Sequence, residues 1–154
     1  MKQFLQRNKN LLLWVLFLCY AYVMGRLLFD RPTIQGGDYW VQVQQNLNFE
    51  PLRTVQMYLR AFRTNQSPGR VNAIFNLGGH VVLVTPIGLF LPLLFPKLKK
   101  VWRFFPVVIL LILLVELVQL FALVGRCDVD DLILNVFGAG LGFVFFHIVK
   151  KLRT

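Results

Sequence analysis

Glu116, Asp128, Asp130 and Asp131 are four of the chain's seven acidic residues and fall within sixteen positions. Glu116 interrupts an otherwise apolar run, VVILLILLVELVQLFALV. A carboxylate at the centre of a membrane helix costs roughly 2.5–3.5 kcal/mol on insertion scales, so a chain that keeps one there has a use for it. Two chemistries suit the set. A carboxyl in a poorly solvated site has the proton affinity of a general base, and the DxDD spacing of Asp128, Asp130 and Asp131 offers hard oxygen ligands to a divalent cation. One aspartate is also expected to cap a helix, since Asp128 or Asp130 precedes an apolar helical stretch whose first N–H groups need acceptors.

Asn76, His80, Gln119 and Asn135 are further polar residues embedded in apolar sequence. Asn76 and His80 are four apart and share a helix face, and Gln119 lies one turn from Glu116. Taken singly, Asn76, Gln119 and Asn135 read as interhelical hydrogen-bond glue, worth about 0.6–2 kcal/mol apiece. Glu116 reads otherwise, because glutamine would supply the same bonds without a charge. His80 or Arg126 is its expected partner.

These residues need apolar elements to hold them. The chain has 154 residues, 56% apolar and 14% aromatic, with the hydrophobicity gathered into long blocks. This is the pattern of a polytopic membrane protein. Spans are expected at about 10–29, 73–95, 101–124 and 132–149, each near the ~20 residues that cross ~30 Å of hydrocarbon. The first follows a basic start but lacks a small-x-small cleavage site, and so reads as an uncleaved anchor. The expected fold is an all-α, four-transmembrane-helix bundle forming a single domain over 1–154.

With four spans, every lysine falls on one side: Lys2, Lys9, Lys97, Lys99, Lys100, Lys150 and Lys151. Loops rich in Lys and Arg stay in the cytoplasm, which puts both termini there. The net charge of +10 then reflects topology, and no nucleic-acid partner is expected. The outer side holds residues 30–72 and the turn 125–131, where the cations are arginines. Direction now sets depth: Glu116 lies eight residues, roughly 12 Å, below the end of its span, and His80 and Asn135 fall at a similar level. A polar pocket opening to the outer leaflet is the inference, with Arg126 and the aspartates at its mouth.

In the outer loop, Leu52, Val55, Tyr58, Leu59 and Phe62 recur at helical spacing, with Arg53, Gln56, Arg60 and Arg63 opposite. An interfacial amphipathic helix is expected over about 51–63. Its arginines either pair with lipid phosphates alone, or grip a phosphate-bearing ligand as part of a lid over the pocket, since the guanidinium fork binds phosphate bidentately. Gly138 and Gly142 form a small-xxx-small pair for close helix approach. Cys19 and Cys127 fall at different depths, so no disulfide is expected. Gly-rich phosphate loops, Ser-His-Asp arrangements, CxxC pairs and HExxH motifs are absent from the sequence.

His80-Val-Val-Leu-Val-Thr-Pro86-Ile-Gly88, Glu116-Leu-Val-Gln119 and Gly125-Arg126-Cys127-Asp128-Val129-Asp130-Asp131-Leu-Ile-Leu-Asn135-Val-Phe-Gly138 together resemble the VanZ-like family of small bacterial membrane proteins. The resemblance covers roughly residues 45–149 and departs at His80, where the family usually carries asparagine. It implies a multi-pass protein of the bacterial plasma membrane that lowers susceptibility to teicoplanin, a lipid-tailed glycopeptide. Two functions fit. The first is a binding or protective module that holds a membrane lipid, a lipid-linked cell-wall precursor or the drug's acyl tail. Its expected ligand-binding residues are His80, Glu116, Gln119, Arg126, Asp128, Asp131, Asn135, Arg53, Arg60 and Arg63. The second is a membrane-embedded hydrolase or transferase with Glu116 as general base and Asp128, Asp130 and Asp131 as catalytic or cation-holding groups. No cofactor is required by the first, and a divalent cation suits the second. An alternating-access transporter has little room in four spans, unless the protein assembles as an oligomer.

Overall fold

The computed structural model describes the backbone of residues 2–33, 36–53, 56–57, 60 and 67–152, with side chains over most of these and from residue 78 onward in the second half. It is all-helical apart from one two-residue bridge. Helix α1 (Lys2–Phe29) is followed by a short α2 (Tyr39–Gln45), strand β1 (Leu47–Asn48), α3 (Ser67–Leu94), a 3-10 turn (Pro96–Lys99), α4 (Val101–Phe121), strand β2 (Cys127–Asp128) and α5 (Val129–Leu152).

Three helices are long and apolar enough to cross a membrane: Asn10–Phe29 of α1, all of α4 and all of α5. The described apolar stretch of α3, Gly78–Leu94, is shorter. The outward faces carry exposed large apolar side chains, among them Leu110, Leu114, Phe137, Val144 and Ile148, as a lipid-facing surface requires.

The bundle is tightest between α3 and α5, where glycine allows backbone contact. A Cβ on Gly138 would collide with the Val81 carbonyl, and one on Gly142 with the Thr85 carbonyl. The small-xxx-small pair thus faces α3. Val84, Leu91, Phe104, Val108, Ile112, Ala139 and Phe143 fill the core beside this contact, with Phe104 and Phe143 stacked at 4.2 Å between centroids. Helix α1 leans on α3 through Trp14–Phe95, Phe17–Phe90 and Tyr20–Phe90 ring contacts.

Two span boundaries differ from expectation. Helix α4 stops at Phe121 instead of running to 124, because Leu123 adopts a left-handed φ of 54°. Leu123 N–H then bonds Leu120 O at 3.1 Å and Val124 N–H bonds Gln119 O at 3.0 Å. This is the paired closure of a Schellman motif, here with leucine where glycine is usual, so no residue type announced it. Helix α5 starts at Val129, three residues before the expected 132, because Asp128 Oδ1 accepts from Asp130 N–H at 2.9 Å and caps the first turn.

The segment before residue 51 is ordered by contacts no local pattern signalled. Asp38 caps α2, accepting from Trp40 and Val41 N–H at 2.9 and 3.2 Å. Val43 packs on Leu120 and Leu123, and Tyr39 O–H donates to the Phe121 carbonyl at 2.9 Å. Strand β1 pairs in parallel with β2, aligning Asn48 with Asp128. The surface helix expected over 51–63 lies largely outside the described residues, as do Arg63 and the Asn76 side chain. Within it, Gln56 N–H bonds Leu52 O at 2.8 Å.

A candidate amphiphile site between the helices

Helices α1, α3, α4 and α5 enclose a cavity of about 490 Å³, within the ~300–1,000 Å³ range of small-ligand sites. Its lining is graded along the helices. Toward the ends where α1 and α4 stop and α5 begins lie Arg31, Arg126 and Asp128; next come His80, Glu116, Gln119, Asp131 and Asn135; beyond these, walls of Met24, Leu83, Val84, Ile87, Leu111, Ile112 and Val115. Seven of the expected site residues therefore share one cavity: His80, Glu116, Gln119, Arg126, Asp128, Asp131 and Asn135.

Each has a distinct job in the geometry. His80 is held at both ring nitrogens, Nδ1 lying 3.2 Å from Asn135 Oδ1 and Nε2 3.3 Å from Asp131 Oδ1. His80, expected to partner Glu116, thus pairs with Asp131 instead. Gln119 Nε2 donates to the Leu28 carbonyl at 2.9 Å, tying α4 to α1. Asp128 spends one oxygen on the α5 cap and accepts from Asn48 Nδ2 at 3.0 Å with the other. Asp130 is 1% exposed and does not line the cavity; its carboxylate accepts from Leu52 N–H. The three aspartates so face three different partners. Among the described residues, no group of three His, Cys, Asp or Glu side chains converges on a common cation position.

Glu116 stands apart. It is 4% exposed, it lines the cavity, and its Oε2 has no hydrogen-bond partner among the described residues. Buried polar atoms are almost always paired, so a carboxyl oxygen left open in a cavity wall marks a place where a ligand or water can complete the bonding.

Arg53 pairs with Glu50 at 3.3 Å on the exposed surface, and neither it nor Arg60 lines the cavity. Arg31 does, although its residue type does not set it apart from the other outer arginines. Its signal was positional: it lies two residues past the end of α1, at the level of the mouth. Its charge acts on both Glu116 and Asp131. Asn48 was also missed, since only the parallel bridge brings it beside Asp128. Cys127, just outside the cavity, has its thiol pushed up by burial and by the carboxylates of Glu116, Asp128 and Asp131.

The family model that matches this sequence is VanZ/LLP1, over residues 13–150. The chain belongs to the VanZ/LLP1 family. The match takes in every cavity-lining residue, from Met24 to Asn135. With its apolar helices, it makes this VanZ/LLP1 chain a membrane protein. No curated protein and no solved structure matches it.

Proposed function

We propose that this VanZ/LLP1 protein is a four-span protein of the bacterial plasma membrane, with both termini cytoplasmic, that holds an amphiphile in its cavity and thereby lowers susceptibility to lipid-tailed glycopeptides. The observation that carries this reading is the graded lining: charged groups at the mouth, apolar side chains beyond. A membrane lipid, a lipid-linked cell-wall precursor or a drug's acyl tail presents the matching sequence of groups. Orientation is supported by the lysines, since the turn at Lys97, Lys99 and Lys100 and the end of α5 at Lys150 and Lys151 lie opposite the cavity mouth. In that frame the mouth opens outward, where glycopeptides act.

The test is teicoplanin and vancomycin susceptibility of a sensitive Gram-positive host expressing wild type, Glu116→Gln, Asp131→Asn or Arg126→Ala, with membrane levels matched by immunoblot. Wild type is expected to raise teicoplanin tolerance severalfold, and the carboxylate variants to lose most of that gain. Equal protection by all four would remove the cavity from the function.

A second reading has one observation in its favour. The orphan Glu116 oxygen is placed as a general base would be, buried and facing a ligand space. In that version the protein is a hydrolase or transferase acting on a lipid or lipid-linked substrate. Turnover of membrane lipids, lost in Glu116→Gln, would separate it from simple binding.

A further inference from the structure

Tyr39 and Trp40 open α2 with their rings edge to face, 5.2 Å between centroids. Both are exposed, Trp40 by 63%, and so is Val41 beside them. The other side of the helix is committed to the bundle, since Gln42 and Val43 are buried and Val43 packs on Leu120 and Leu123. Contiguous exposed aromatic and apolar side chains mark a contact surface. The remaining exposed residues of α2, Gln44 and Gln45, are polar, so the element has one apolar end and one wet end.

The bonds of α2 fix the level of this surface. Tyr39 O–H donates to the carbonyl of Phe121, the last residue of α4, at 2.9 Å. Phe121 and Val118 are themselves exposed on the apolar outside of α4, so the aromatic end of α2 continues a face that lipid covers. Trp and Tyr gather at the two interfaces of a membrane, where an apolar ring and a polar edge each meet their own medium. Helix α4 carries one such residue at its start: Trp102 is exposed, with the Arg103 guanidinium 4.5 Å from its ring centroid. From Trp102 to Phe121 the helix rises roughly 28 Å, close to the ~30 Å thickness of hydrocarbon. Its last turn, Val118-Gln119-Leu120-Phe121, has neither Trp nor Tyr. Tyr39 and Trp40, docked at that end, supply the interfacial aromatics that α4 lacks.

We propose that α2 is an interfacial anchor whose partner is the boundary between headgroups and acyl chains in the leaflet at the cavity mouth, with Trp40 as the inserted ring and Tyr39 beside it. The anchor is tied to the mouth. The carbonyl of Asn46, the C-cap of α2, accepts from Cys127 N–H at 3.0 Å, and Asn48 Nδ2 donates to Asp128 in the cavity lining. The depth of Trp40 therefore sets the level at which the cavity opens, whatever ligand it holds.

The experiment is fluorescence quenching of the full-length protein in lipid nanodiscs. Trp14→Phe with Trp102→Phe leaves Trp40 as the single indole of the chain's three. The quenchers are phosphatidylcholine brominated close to the glycerol esters, phosphatidylcholine brominated close to the chain ends, and aqueous iodide. The shallow bromine is expected to quench Trp40 severalfold more than either the deep bromine or iodide. Trp102, isolated by Trp14→Phe with Trp40→Phe, is the reference for an interfacial ring and should give the same order. Dominant quenching of Trp40 by iodide places the ring in water, dominant quenching by the deep bromine places it in the hydrocarbon core, and shielding from all three means that protein covers it, as a second copy would. Each of these results overturns the anchor and leaves the cavity's ligand untouched. Where the double variants do not fold, the quenching difference between wild type and Trp40→Phe decides the same question, because that single exchange falls on an exposed ring and removes no core contact.

Discussion

Cys127 reports the charge state of the cavity mouth. Burial and the neighbouring Glu116, Asp128 and Asp131 carboxylates all push its thiol up. A raised thiol is less ionised at any given pH, and the thiolate is the form that alkylates. In a Cys19→Ser background, labelling of Cys127 by a membrane-impermeant maleimide should therefore be slow at neutral pH and climb further into the alkaline range than for an exposed cysteine. Removing one nearby negative charge by Asp128→Asn keeps a capping oxygen and should shift the profile to lower pH. A Cys127 profile matching that of an ordinary free thiol would contradict the crowding of carboxylates described here. The same scale separates residues that look alike in sequence. Asp128, Asp130 and Asp131 form one DxDD string, yet the first caps α5, the second anchors the Leu52 amide and the third pairs with His80.

Helix α5 shows how much of an element's role rests on single side chains. Gly142 meets the Thr85 carbonyl across the α3 interface, whereas a Cβ on Gly140 would lie 3.7 Å from the Phe105 ring, ordinary contact. Gly142→Ala should destabilise by about 1–3 kcal/mol or more through overpacking against backbone. Gly140→Ala should be neutral, or stabilise by up to ~1 kcal/mol through helix propensity. The fraction remaining monodisperse on size-exclusion chromatography after a heating series measures both, and equal loss in the two variants would put α5 in the wrong rotation. Helical spacing and glycine pairs made this interface legible in advance. The end of α4 was not legible, because the left-handed turn falls on Leu123, and neither was α2, whose seven residues owe their place to Asp38, Val43 and Tyr39 meeting distant partners.

At the scale of the whole molecule, the number of crossings decides which groups face which compartment. Four crossings put both termini on one side, whereas three put them on opposite sides. Reporter fusions at residues 1 and 154 should both be active in the cytoplasm, and a fusion inserted in the 30–72 segment should be active outside. Opposite behaviour of the two terminal fusions would leave α3 outside the membrane and the cavity open on that flank. The sequence by itself determined that this is a helical membrane protein of the VanZ/LLP1 family and which polar residues lie at similar depth, because hydrophobic length, helical period and lysine placement are local properties that depth alone organises. Rotation and pairing are not local. That His80 turns to Asp131 and Asn135, that Asp130 is withdrawn from the cavity, that Arg31 joins it and that Glu116 Oε2 has no partner among the described residues were decided only when four helices packed. Which face of each helix meets which neighbour depends on the glycine contact, the caps and the β1–β2 bridge acting together.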